Sequence, residues 1–163
     1  MVLGPFVKNA LDYARQCELA LDAVAVSIGP GSYTGLRIGL SEAKGLCFGL
    51  GVPLIGVNTL KLLSVSVMFS KRVEPDEYFV PMIDARRMEV FTGVYDLALN
   101  EIVGNQAMIV DENSFAGLLA ERRLLFMGNG ADKVSEVILC PDSFRRWQPN
   151  LFIYRQMWLL GSR

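Results

Sequence analysis

The spacing of apolar residues outlines the chain. Leu3, Phe6, Val7, Ala10, Leu11, Ala14 and Cys17 recur at the three-and-four spacing of one helical face. This predicts an opening helix that keeps Pro5 in its first turn, where proline is tolerated. Residues 23–28, AVAVSI, form a short apolar run that ends at Gly29-Pro30-Gly31. A run of that length, closed by glycine and proline, predicts a strand buried on both faces. A helix over Tyr33–Leu50 and a second apolar strand over 53–57 follow, and Thr59 is placed to cap a helix running through Leu60, Leu63 and Val67. Strand, helix, strand is the unit of a parallel sheet, with a right-handed crossover expected.

The character changes at the charged stretch Lys71-Arg72-Val73-Glu74-Pro75-Asp76-Glu77. Residues 78–83 and Glu89–Tyr95 read as a hairpin joined at Asp84-Ala85-Arg86-Arg87, with a third strand near 107–110. Asp111 or Asn113 is placed to cap a short helix through Leu119, and residues 124–127 read as another buried strand. Gly128-Asn129-Gly130 then turns the chain toward a helix beginning near Ala131. The fold class is α/β, with a first lobe over 1–72, a second over 73–140 and a tail over 141–163 that shows no clean period around Phe144 to Pro149. Two apolar strands make too small a sheet to stand alone. Further strands are therefore expected ahead of Met1, leaving the first lobe incomplete at its N-terminus.

With 52% hydrophobic and 20% charged residues among 163, the composition belongs to a packed chain rather than a disordered one. Every window long enough to cross a membrane carries charge, as Arg37, Glu42 and Lys44 do in the helix over Tyr33–Leu50, and no basic segment leads into an apolar run at the start. A cytoplasmic protein without a membrane partner is expected. The net charge of −1, from 16 basic and 17 acidic residues, lacks the basic excess with which a protein grips nucleic acid alone. The three cysteines, Cys17, Cys47 and Cys140, form no CxxC pair and read as reduced structural thiols. Histidine is absent, which removes the commonest metal ligand and the commonest general base together. No metal and no cofactor is expected.

The loop Gly29-Pro30-Gly31-Ser32-Tyr33-Thr34-Gly35 lies between a buried strand and a helix N-terminus, a place where backbone N–H groups receive anions. Its spacing fits neither known cradle. A dinucleotide fingerprint needs glycine where Thr34 stands, and a P-loop needs a lysine that is found no nearer than Lys44. The competing reading gives the glycines a tight turn and close strand–helix packing. Within the helix, Gly35, Gly39, Ala43 and Cys47 fall every fourth residue, a strip of small side chains suited to close packing against the chain's own sheet. That leaves Leu36 and Leu40, with Leu3 and Phe6 of the first helix, as a candidate partner surface.

Residues 29–45, GPGSYTGLRIGLSEAKG, are similar almost residue for residue to the signature of the TsaB family, with Arg37 inside the match. DARRMEV at 84–90 resembles a second block of that family, and Gly128-Asn129-Gly130 a third, all in the family's order and spacing. The resemblance implies an actin-like (ribonuclease H-like) fold of two lobes. It implies a non-catalytic scaffold that pairs with TsaD, the metal-bearing subunit that transfers a threonylcarbamoyl group to an adenosine in tRNA. A TsaE-type ATPase joins that complex, some family members form homodimers, and tRNA is reached only indirectly. The resemblance also marks Asp84, Arg86, Glu89, Asn129 and Gly130 as a second-lobe motif.

Read by themselves, Asp84, Arg86, Arg87 and Glu89 invite an acid–base role, but the simpler account is an Asp-initiated turn with Arg–Glu pairing across the hairpin. Two enzymatic alternatives compete with the scaffold. A metallopeptidase would normally use histidine ligands, and an actin-fold ATPase or sugar kinase needs an N-terminal phosphate-binding hairpin that these residues do not contain.

Overall fold

The computed structural model describes residues 3–70, 73–135, 137–138 and 145–148. Cys140 and the tail other than 145–148 lie outside the described residues. The elements run α1 (Leu3–Gln16), β1 (Val24–Gly29), α2 (Tyr33–Leu50), β2 (Leu54–Asn58), α3 (Thr59–Ser70), β3 (Glu77–Asp84), β4 (Glu89–Tyr95), β5 (Glu101–Ile109), α4 (Ala116–Glu121), β6 (Arg123–Met127), α5 (Ala131–Val134) and β7 (Arg145–Gln148). The chain divides into two compact units, Met1–Asn58 and Thr59–Arg163.

In the first unit β1 and β2 pair in parallel, Val24 opposite Leu54 through Ser27 opposite Val57. The small strip of α2 turns toward them: Ala43 is buried, and a Cβ on Gly39 would stand 3.9 Å from Val26 Cγ2. Ser32 caps α2 by accepting the Gly35 N–H, and Gly51 ends it in the left-handed conformation. The strands are not buried on both faces as their apolar runs predict, for Ile28 and Ile55 stay 60% and 50% exposed.

The second unit holds a five-stranded sheet in the order β5-β4-β3-β6-β7. β4 is antiparallel to both β3 and β5, while β6 runs parallel to β3 and β7. Alternation along the inner strands feeds two cores. Val80, Met82, Val90, Val94, Leu124 and Phe126 bury on one face with Leu119, Ala131 and Val134. Phe79, Tyr95, Leu125 and Met127 bury on the other with Leu60 and Val67 of α3. This packing is why α3 groups with the second compact unit.

Three local expectations change. β5 begins at Glu101, well before residue 107, because exposed Gly104, Asn105 and Gln106 interrupt its apolar signal. Neither Asp111 nor Asn113 caps α4: Asp111 Oδ1 accepts from Asn113 N and Ser114 Oγ in a turn of its own, and Phe115 precedes the helix in a left-handed conformation. In the tail, Arg145–Gln148 adds to the sheet beside β6, which its polar sequence does not announce.

Phe126 is fully buried whereas Ile109 is 75% exposed. Phe126→Ala is expected to lower stability by about 3–5 kcal/mol, and Ile109→Ala to stay within about 0.5 kcal/mol, both read from urea unfolding. Equal losses at the two positions would contradict the placement of the core.

Candidate functional site

Two regions gather the residues that the sequence singles out. The first is the turn from β1 into α2. Gly29 is buried with φ 109°, and a Cβ there would stand 3.2 Å from Leu36 Cδ1. A side chain at Gly29 is thus opposed by both conformation and space, which gives this glycine a packing task. Ser32, Tyr33 and Thr34 are exposed on the first turn of α2. The Arg37 guanidinium lies 5.4 Å from the centroid of the Tyr33 ring, and its Nη1 donates to the Tyr33 hydroxyl at 3.3 Å. Leu3, Leu36 and Leu40 are half-buried, Leu36 against the loop itself, while Phe6 is 62% exposed. Phe48, which the pattern reading passes over, is 93% exposed on α2.

The second region, wholly within the second unit, brings Asp84, Arg86, Glu89, Asn129 and Gly130 together. Asn129 Oδ1 accepts the Asp84 N–H at 3.1 Å, and Asp84 Oδ1 accepts the Arg86 N–H at 2.9 Å. The Glu89 N–H donates to Arg86 O and the Ala85 N–H to Glu89 O, each at 3.1 Å. The Gly130 N–H donates to Met82 O at 3.0 Å, an approach close enough that a Cβ on Gly130 would meet Ile83 C at 3.0 Å. Among the described residues no Arg–Glu ion pair spans the turn. Lys133 Nζ takes that role instead, donating to Asp84 Oδ1, to Arg87 O at 2.7 Å and to Glu89 O at 2.6 Å.

Lys133 lies 44 to 49 residues along the chain from these partners, so no local spacing signals it. Its hydrogen bond, followed by that from the Arg86 N–H, holds the Asp84 carboxyl below the usual carboxylate range. Asp84 is therefore an ionised acceptor at neutral pH and has no proton to give. Among the described residues no group of three or more histidine, cysteine, aspartate or glutamate side chains is placed to hold a metal ion. No helix of the described residues is long and apolar enough to cross a membrane.

The model of the family described as "TsaD: tRNA N6-adenosine threonylcarbamoyltransferase" matches residues 1–140. The chain is 32% identical over 139 residues to the tRNA threonylcarbamoyladenosine biosynthesis protein TsaB of Bacillus subtilis (strain 168), covering 82% of this chain and 58% of that protein. It is 35% identical over 98 residues to TsaB of Escherichia coli (strain K12), covering 60% and 41% respectively. A tRNA N6-adenosine threonylcarbamoyltransferase of Symbiobacterium thermophilum is 51% identical over 57 residues, 35% of this chain and 17% of that protein. The chain thus spans about half the length of the TsaB relatives it matches. YeaZ from Pseudomonas aeruginosa superposes with a TM-score of 0.69 at 21% identity, over 99% of this chain and 79% of that one. A second P. aeruginosa structure, of a protein with similarity to peptidase YEAZ, gives 0.70 at 24%, over 99% and 77%. These likenesses show the fold, a mixed α/β architecture in agreement with the actin-like, ribonuclease H-like class read from the sequence.

The turn in the second unit makes a direct prediction. A carboxyl whose folded pKa is depressed contributes stability above its unfolded pKa, and that contribution is lost as pH falls through the folded value. The Asp84 carboxyl signal is expected to titrate below the ordinary value of about 4 and to return toward it in Lys133→Met. The fall in stability on acidification should be shallower in Asp84→Asn. An Asp84 midpoint that does not move in Lys133→Met, followed by NMR, would remove the amine as the cause.

Proposed function

Because this chain belongs to the TsaD family of tRNA N6-adenosine threonylcarbamoyltransferases, and within it to the TsaB proteins, we propose that it is a non-catalytic scaffold subunit in the threonylcarbamoylation of adenosine in tRNA. The observation that carries the reading is the absence of histidine from the chain, because the metal site of TsaD-type subunits needs a histidine pair. Such a metal does not fit the residues present, and no step of the reaction is assigned to them. The working partner is a TsaD-type subunit; a TsaE-type ATPase joins the pair, and tRNA is held mainly by other subunits, in keeping with a net charge of −1.

The helices α1 and α2, through Leu3 and Phe6 of the first and Leu36 and Leu40 of the second, are the proposed contact with that partner and with a second copy in any homodimer. Phe6 supports this best, as a large apolar side chain 62% exposed on a helix with no buried residue. Leu40 is half-buried and is proposed as the margin of this contact.

The test is co-elution of the pure chain with a purified TsaD-type subunit, together with Phe6→Glu and Leu40→Glu variants. Phe6→Glu is expected to weaken the complex by about tenfold or more, as a charge buried without a partner does, and to leave the melting temperature unchanged. Leu40→Glu is expected to lower both. Failure of the wild-type chain to co-elute, or turnover of ATP or casein by the pure chain above a buffer blank, would reject the scaffold reading in favour of an enzymatic one.

A further inference from the structure

The turn between β3 and β4 places Arg86 and Arg87 consecutively at φ 74° and 46°. Left-handed backbone is costly for residues with a side chain, and two in succession are held only where the surroundings over-determine them. Here they do. Lys133 grips the Arg87 and Glu89 carbonyls and the Asp84 carboxylate, Asp84 grips the Arg86 N–H, and Asn129 grips the Asp84 N–H. Both arginine side chains are exposed, and among the described residues neither forms an ion pair. Every anchor in the turn thus holds backbone or Asp84, and among the described residues the two guanidiniums form no ion pair at a turn whose backbone is held.

We propose that the Arg86–Arg87 turn is a second docking point, which clamps a carboxylate of a protein partner. This rests on the scaffold reading, with the TsaD-type subunit as that partner, and adds a contact in the second unit to the one assigned to α1 and α2. The guanidinium fork matches a carboxylate in two parallel hydrogen bonds, and a turn already fixed loses little freedom when it binds. A protein carboxylate is favoured over an RNA backbone by what surrounds the pair. A nucleic-acid surface tracks successive phosphates with a stripe of basic residues. At this tip the adjoining lysine is already engaged, and Asp84, Glu89 and the exposed Asp132 lie on the same elements.

The experiment measures affinity of the full chain for a purified TsaD-type subunit at low and high salt. It compares the wild type with Arg86→Ala/Arg87→Ala, Arg86→Lys/Arg87→Lys and Lys133→Met. The double alanine variant is expected to bind about 10- to 100-fold more weakly with a flatter salt dependence, at an unchanged melting temperature. The double lysine variant, which keeps charge but lacks the fork, should recover only part of the loss. Lys133→Met should weaken binding in the same direction by freeing the turn. Wild-type affinity in the double alanine variant, while Phe6→Glu still weakens the complex, would overturn this proposal and leave the scaffold reading standing. No binding by the wild type would reject both. Loss of tRNA binding by the double alanine variant with protein affinity intact would overturn the proposal in favour of an RNA contact.

Discussion

Much of the second unit depends on β3 being enclosed. It is hydrogen-bonded along both edges, to β4 on one side and β6 on the other, and its residues alternate between two cores. Phe79 goes to the face that α3 covers, while Val80 and Met82 go to the face that receives Leu119 and Val134. A strand so placed leaves no face for water, which explains why β6 beside it reads LLFM without a polar interruption. It also fixes where the chain can carry accessible polar groups. One such group lies at the end of β3, where Asp84 emerges from the sheet and the turn begins.

Much of this was legible in the sequence, and three of the exceptions share a cause. α2 was readable because its span between two apolar strands and its small-residue strip are local signals, and Gly39 and Ala43 of that strip are turned inward. The β3–β4 hairpin was readable because Glu89–Tyr95 alternates and Asp84 starts a turn. Lys133 was not readable, because its importance lies entirely in partners brought near by the sheet. β7 escaped for the same reason: its residues, RRWQ, carry no strand pattern, and pairing with β6 assigns them. The grouping of α3 was likewise set by what Leu60 and Val67 meet rather than by the charged loop that follows the helix.

The two units divide their surfaces differently. The first keeps large apolar side chains in water, Phe6, Tyr33 and Phe48 among them, and has little core beyond Ala43 and the turn glycine. Among the described residues the second holds nearly all the buried apolar side chains, although Phe69 and Ile109 stay 89% and 75% exposed, and it exposes charge at the β3–β4 turn. An apolar contact is broad and adaptable, whereas a guanidinium that meets a carboxylate is directional.

The three bonds of the Lys133 amine also bear on the order in which the chain acquires its shape. Locally, Arg86 and Arg87 disfavour the conformation they adopt, so the bend cannot nucleate its hairpin as an Asn-Gly turn would. It is secured only once β6 has aligned with β3 and carried Lys133 to the Arg87 and Glu89 carbonyls. The register of β3 against β4 is dictated by the side chains they bury. The bend is thus a product of contacts distant in sequence, of the kind whose loop-closure cost must be met before they reward the chain.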